Sequence, residues 1–327
     1  MYQSVTPALE PQSAGAVLMV RPARFAFNPQ TAASNAFQSA PAAESDSAAS
    51  ASTQMLALRE FDGLAERLQR AGVEVIVAQD TPSPVKPDAI FPNNWVSLHR
   101  DGTVVLYPML APNRRLERRD EILEQVTREG GYQINRTVDL SHRETYAKFL
   151  EGTGSLVLDR ANRIAYAGLS SRTDLDVLGE FAQQLDYELV TFEAFDAAAT
   201  LVYHTNVLMA VGARFAVVCG EAITRTAHRT AVLEKLRATG HEIVDISADQ
   251  MRRFAGNLLE LAPAAGNVIA LSESAWRSFD LEQRRLLERQ GSVVAADIPV
   301  IEHYGGGGVR CMLAEIHLPK RSAPLMS

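Results

Sequence analysis

Residues 206–246 read NVLMAVGARFAVVCGEAITRTAHRTAVLEKLRATGHEIVDI, and the pattern within them decides the fold. Val207–Ala210 and Phe215–Val218 are short apolar runs of the length of a buried strand. A stretch of helical spacing follows from Ala227 to Leu236, stops at Gly240, and is succeeded by a third apolar run, Ile243–Ile246. The order is strand, strand, helix, strand. Upstream the same order predicts strands at Leu156–Leu158 and Ile164–Ala167, a helix over Leu175–Leu185 and a strand at Leu189–Phe192. Before that come Trp95–Leu98, Val104–Tyr107, a helix through Leu116–Val126 closed by Gly130–Gly131, and a strand near Val138. Downstream come Leu258–Leu261, Val268–Leu271, a helix over Phe279–Leu287 ending at Gly291, and Val293–Ala295. The chain ends supply another unit: Ala16–Val20, a helix with Leu56, Phe61, Leu64 and Leu68 at helical spacing up to Gly72, Val73–Val77, and a closing strand over Cys311–Ile316.

A polar residue heads the first strand of each internal unit: Asn94, Ser155, Asn206 and Asn257, at spacings of 61, 51 and 51. A further step of 51 reaches the edge of the Gly305–Gly308 run. The first gap, from residue 17 to Asn94, is 77, and becomes 53 when the 24 residues TAASNAFQSAPAAESDSAASASTQ (31–54) are set aside. A fixed period near 50 marks a repeat architecture, and five units with mixed sheets can close into a propeller-like ring. The residues heading the first strands then converge from five places in the sequence. Stretch 31–54, rich in Ala and Ser, reads as a low-complexity surface loop, with a mobile flap beside a site as the sharper alternative.

Composition narrows the class. The chain has 327 residues, of which 46% are hydrophobic and 22% charged, values of a folded protein with a large core rather than a disordered or coiled-coil chain. A net charge of −7 without a long basic run argues against nucleic acid or an anionic membrane as partner. No stretch approaches the roughly 20 apolar residues of a membrane span. MYQSVTPALEPQ lacks the basic start and apolar run of a signal peptide, so a cytoplasmic protein is expected. Cys219 and Cys311 are too few for a disulfide framework or a Cys-based zinc site, and no HxH or HExxH spacing appears, so neither metal nor organic cofactor is expected.

Chemistry gathers at the strand starts. DAIFPNNW carries Asp88, Asn93 and Asn94, EGTGS carries Glu151, YHTNV carries His204 and Asn206, and YGGGGVRCM carries Cys311. A Cys, a His and a carboxylate brought together form the constellation of nucleophilic catalysis by a thiolate. Four glycines before Cys311 permit unusual backbone angles and close approach of a substrate. Blander readings stand beside these. Either cysteine can be a small buried hydrophobe, which suits Cys219 in FAVVCG best; His204 can be a satisfied core histidine, Glu151 a helix-end carboxylate, and Asn94 and Asn206 turn residues. His303 reads as structural, with a place at the mouth of a site as its alternative.

YGGGGVRCM, YHTN, EGTGS and FPNNWVS together resemble the guanidino-group-modifying, or pentein, superfamily, which includes arginine deiminases, dimethylarginine hydrolases, amidinotransferases and succinylarginine dihydrolases. The resemblance runs from Arg21–Pro22 to the last strand and is closest to citrulline utilisation hydrolases and arginine-deiminase-related proteins. It implies an α/β fold, a five-fold pseudosymmetric ββαβ propeller, forming a single catalytic domain over residues 1–327. It also implies that Cys311 attacks the central carbon of a guanidino or ureido group, that His204 protonates the leaving nitrogen and then activates water, and that Glu151 orients His204. By the same resemblance Arg172, in LSSRTD, binds the substrate α-carboxylate. Arginine deiminases carry Asp where this chain has Asn94 and Asn206, and those aspartates grip the cationic guanidinium. Two amides suit a neutral ureido group, which offers an acceptor oxygen as well as N–H donors. Asn93 and Asp88 complete the expected substrate-binding set, Asp88 as a negative charge in a shifted position. The expected activity is hydrolysis of citrulline to ornithine, ammonia and carbon dioxide. Arginine deimination, succinylarginine-dihydrolase-like or amidinotransferase chemistry, and a non-catalytic ligand-binding ring remain as alternatives, and a homo-oligomer stays open.

Overall fold

The computed structural model describes residues 10–40 and 47–321. Among the described residues, fifteen strands form five three-stranded sheets, all built to one plan. In sheet order the first contains β1 (Ala16–Arg21) between β2 (Glu74–Gln79) and a strand from the C-terminal end; the second is β3 (Val96–Leu98), β4 (Thr103–Leu106) and β5 (Arg136–Asp139). The third is β6 (Val157–Asp159), β7 (Ile164–Gly168) and β8 (Glu188–Phe192), and the fourth β9 (Met209–Val211), β10 (Phe215–Val218) and β11 (Glu242–Asp245). The fifth is β12 (Leu259–Leu261), β13 (Val268–Ser272) and β14 (Ser292–Ala296), and β15 (Ala314–Glu315) completes the first. In every sheet the middle strand pairs antiparallel on one side and parallel on the other. The antiparallel pair needs only a tight turn, whereas the parallel pair needs a crossover, which a helix supplies each time.

Middle strands are buried on both faces, as their unbroken apolar runs require: Phe215, Ala216, Val217 and Val218 of β10 are all at 0% exposure. The crossover helices each bury one stripe. In the helix Leu175–Leu185, Val177, Leu178, Phe181 and Leu185 face the sheet, and Asp174 caps its N-terminus by accepting from Asp176 and Val177 N–H.

Three expectations need correction. The Ala/Ser stretch is not a loop throughout: a helix runs over Ser47–Arg70, so residues 47–54 extend the helix expected from Leu56. Alanine is the best helix former, and a run of it prolongs a helix that later residues anchor. Residues 41–46 of that stretch lie outside the described residues. The buried stripe of this helix is Ala57, Phe61, Leu64 and Leu68, and Leu56 is exposed. Finally, the closing strand is only Ala314–Glu315, because Val309–Met312 is a 3-10 turn that holds Cys311.

That turn is one of a set. Pro92–Asn94 precedes β3, Gly152–Ser155 precedes β6 and Thr205–Leu208 precedes β9. Four of the five sheets are thus preceded by a single helical turn; Asn94, Asn206 and Cys311 lie in these turns, and Glu151 and His204 are the N-caps of two of them.

Candidate active site

Cys311, His204, Asn94, Asp88 and Arg172 line one cavity, walled further by Thr31, Asn35, Phe91, Arg114, Tyr203 and Gly305–Gly307. Cys311 sits in its 3-10 turn, and two amides point at its sulfur. Asn206 Nδ2 lies 3.5 Å and Asn257 Nδ2 3.3 Å from Sγ. Burial pushes the thiol pKa above its ordinary value, while the Asn257 and Asn206 amides and the nearby Arg310 cation pull the other way without overcoming it. The resting sulfur is therefore a thiol near neutral pH, with donors already in place for a thiolate.

His204 caps the turn Thr205–Leu208, and its Nε2 lies 2.9 Å from Glu151 Oε2. Burial lowers the imidazole pKa below its usual 6.5, the Glu151 hydrogen bond and charge oppose this, and the net direction is down. His204 is thus neutral at rest, and the carboxylate beside it favours the cation when a proton arrives. Tyr203 packs its ring 4.5 Å from the imidazole, centroid to centroid.

Glu151 is fully buried at the start of the turn Gly152–Ser155. Burial raises its pKa, but Arg172, the His204 hydrogen bond and Arg114 together hold it well below the usual carboxylate range. Arg172 Nη1 donates to Oε2 at 3.1 Å, Arg114 Nη1 lies at 3.8 Å, and Leu110 N–H donates to Oε1 at 3.0 Å. The Arg172 guanidinium also donates to Thr31 O and Ser34 Oγ and stacks over Tyr203, 4.8 Å from the ring centroid. Residues 28–38 are in this way tied across the cavity. Asn35 Nδ2 and Tyr203 OH both donate to Gly306 O, and Gly306 itself adopts a φ of +62°, which favours glycine.

Asn94 shows how the amide is oriented. Arg114 Nη1 donates to its Oδ1 at 2.8 Å, while its Nδ2 has no hydrogen-bond partner among the described residues. Arg114 is itself locked by two bonds to Glu117, each 2.9 Å. A Cβ on Gly154 would stand 2.5 Å from Asn94 Nδ2 and 2.6 Å from His204 Nδ1, so only glycine lets these side chains approach. Asp88 accepts from Asn28 and Thr31 at Oδ2, and its buried Oδ1 is unpartnered among the described residues. Burial raises its pKa against the pull of Arg114.

Asn93 and Asn206 are the exceptions among the expected substrate-binding residues, for neither lines the cavity. Asn206 instead directs its amide at Cys311 Sγ. Asn93 is fully buried, because successive residues of a 3-10 turn point about a third of a turn apart. His303 is exposed and contributes a backbone carbonyl to Ser39 N–H. Cys219 is buried in the core around β10. Sequence reasoning missed Arg114 and Glu117, which sit inside the charge-rich RRLERRD and look like a solvated face. It also passed over Asn257 as a site residue, although the 51-residue step from Asn206 marks it. Among the described residues no helix is long and apolar enough to cross a membrane.

A family model described as N,N dimethylarginine dimethylhydrolase, eukaryotic, matches residues 21–318. No curated protein matches the sequence. Among solved structures, the N-terminal domain of ArgZ, an arginine dihydrolase from the ornithine-ammonia cycle in cyanobacteria, is similar in a substrate-bound form, with TM-score 0.68, 17% identity and coverage of 93% of this chain and 99% of that one. AgrE with L-arginine gives TM-score 0.70 and 18% identity over 94% of this chain and 41% of its own. A dimethylarginine dimethylaminohydrolase adduct with S-methyl-L-thiocitrulline gives 0.61 and 16%, over 93% of this chain and 100% of that one.

Proposed function

The chain belongs to the N,N dimethylarginine dimethylhydrolase family of the pentein superfamily, and from that premise we propose a cysteine-dependent hydrolase of the C–N bond in a ureido or guanidino group, with citrulline as preferred substrate. The observation that carries the proposal is the sulfur of Cys311, met by two amide donors and facing the same cavity as a His204 braced by Glu151. The five like sheets, on this reading, stand as the blades of a five-fold propeller in a single domain, with the cavity at one end of its axis.

A neutral thiol and a neutral imidazole set the order of steps. The Cys311 proton passes through His204 to the leaving nitrogen as sulfur attacks the central carbon, and ammonia departs. Glu151 stabilises the transient imidazolium. His204 then takes a proton from water, the hydroxide adds to the thiocarbamate carbon, the C–S bond breaks and sulfur is reprotonated. The carbamate product separates into ornithine and carbon dioxide. Arg172 meets the α-carboxylate by exchanging its bonds to Ser34 and Thr31 for carboxylate oxygens.

Preference for a ureido group is supported by Asn94. With Oδ1 held by Arg114, only its N–H₂ remains to face substrate, and a donor suits the ureido oxygen rather than a guanidinium. A second reading, arginine as substrate, is favoured by the unpartnered Oδ1 of Asp88, a carboxylate oxygen on a residue lining the cavity. Release of ammonia from citrulline and arginine, and of methylamine or dimethylamine from N-methylated arginines, with products identified by mass and Cys311→Ser as control, tests the proposal. Ornithine and ammonia from citrulline, lost in the variant, are expected. Citrulline made from arginine supports the second reading instead. Silence on all three substrates would overturn the hydrolase assignment and favour a ligand-binding ring.

A further inference from the structure

The sheet begun by β12 is entered through a turn unlike the other four. Asn257 closes it, its N–H donating to Phe254 O at 2.8 Å. Phe254 adopts a φ of +60°, a strained conformation for a bulky side chain, and such strain persists only where the surroundings hold it. Its ring is fixed against Phe37, with centroids 5.4 Å apart. What this turn delivers is an amide. Asn257 is fully buried, and its Nδ2 donates to Asn206 O at 2.9 Å and to Cys311 Sγ at 3.3 Å. A carbonyl oxygen only accepts, so the bond to Asn206 O fixes which end of the amide lies there, and the second N–H is aimed at the sulfur. Asn206 differs, with Nδ2 at 3.5 Å and Oδ1 at 3.9 Å from Sγ, so that it can face the sulfur as donor or as acceptor. On its far side Asn257 Oδ1 has no partner among the described residues and lies against Gly308, where a Cβ would stand 2.6 Å from it. Gly308 O in turn accepts from Cys311 N–H at 3.1 Å.

We propose that Asn257 is a further catalytic residue, a fixed hydrogen-bond donor that stabilises negative charge on the Cys311 sulfur. The inference rests on the hydrolase reading above and adds a group to it. A thiol sulfur is a weak acceptor, whereas hydrogen bonds to an ionised acceptor are about twice as strong, so a permanent donor acts mainly on the charged form. Charge gathers on this sulfur twice. It does so when Sγ gives its proton to His204 while bonding to the substrate carbon, and again when the C–S bond breaks and its electron pair returns to sulfur. An N–H held in place before either event favours those states over the resting thiol. The Arg310 cation acts in the same sense, but its guanidinium is already committed to Glu315 and to Leu313 O. Asn257 does not line the substrate cavity, so its loss should lower kcat and leave KM alone.

Two variants disturb the contact in different ways: Asn257→Ala removes the donor, and Gly308→Ala keeps it but drives a methyl into the amide's place. Thermal melting shows whether each is folded. With citrulline and arginine as substrates, kcat should fall about tenfold or more, with KM within about twofold of normal. Alkylation of the free enzyme by iodoacetamide at pH 8, followed on the peptide that contains Cys311, should slow about threefold or more, the loss of thiolate being partly offset by a more nucleophilic sulfur. Alkylation at the normal rate or faster in a folded variant would overturn the proposal, because losing a merely structural amide only loosens the cover over the sulfur. A loss carried by KM would overturn it as well. Should Asn257→Ala not fold, Gly308→Ala decides by the same two readouts. If the unmodified enzyme turns over neither substrate, the hydrolase reading fails, and alkylation, which needs no substrate, still decides whether Asn257 serves the sulfur.

Discussion

Replacing Glu151 by Gln removes one negative charge from among three nitrogen groups, at 2.9 Å (His204), 3.1 Å (Arg172) and 3.8 Å (Arg114). All four residues are nearly or fully buried, so the two arginines are left facing a neutral amide without water. Breaking a buried pair by removing one partner costs about 3–5 kcal/mol. Part of the Arg114 charge stays compensated by Glu117, which argues for the lower end, about 3 kcal/mol. For a chain of this length that corresponds to a fall of roughly 4–5 °C in Tm. Activity should fall further than stability explains, by about 10²–10⁴ in kcat, because the imidazolium formed during attack loses its counter-charge. Calorimetry and ammonia release at a temperature where the variant is folded measure the two effects separately. A double-mutant cycle with Arg172→Met isolates the pair, and a coupling of about 1–3 kcal/mol is expected because the second substitution removes the orphaned cation. Additive losses would refute the Glu151–Arg172 pairing, and a variant within about tenfold of normal kcat would refute the assignment of Glu151 as the carboxylate that braces His204.

Asn94→Asp supplies the missing charge where Arg114 Nη1 now holds an amide oxygen, and the kcat/KM ratio for arginine over citrulline should rise by about tenfold or more; an unchanged ratio would contradict the role given to the amide. Because burial raises the Cys311 pKa, alkylation of the free enzyme by iodoacetamide should still be accelerating at pH 9, and a plateau below pH 8 would contradict the neutral resting pair. His204 is held neutral by burial below its usual 6.5, so the unfolded chain takes up that proton first, and acid removes stability that His204→Gln never had. The stability gap between wild type and His204→Gln should therefore shrink as pH falls below about 6.5, whereas a constant gap would deny the shift. Gly154→Ala puts a methyl against Asn94 Nδ2 and His204 Nδ1, and should abolish activity while leaving a folded protein; an active variant would mean that these side chains need not approach.

The repeat was legible because each unit buries whole strands, and a strand such as Phe215–Val218 leaves an unbroken apolar run in the sequence. The helix Leu175–Leu185 was readable to its ends because Asp174 stops it on one side and the apolar stripe ends at Leu185 on the other. The turns before the strands were not. Three or four residues such as Gly152–Ser155 carry no periodicity, and Cys311 was assigned to a strand for that reason. Glu151, His204, Asn206 and Cys311 were found by position in the repeat, and their mutual bonds agree with that placement. Arg114 escaped because its partners, Asn94, Asp88 and Glu151, come from other segments, and a buried arginine is indistinguishable by sequence from its half-buried neighbour Arg115 until the fold brings those groups to it. Arg172 was marked for a substrate carboxylate, but what the fold adds is its bond to Glu151, which makes it part of the support of His204 as well.

The central claim is a covalent intermediate on Cys311, and quenching the enzyme in acid during turnover tests it most directly. Peptide mass analysis after incubation with citrulline, and separately with arginine, should find substrate less ammonia on the peptide that contains Cys311, and nothing in Cys311→Ser. Ammonia released without any such adduct under rapid quench, or release that survives Cys311→Ser, would contradict the account.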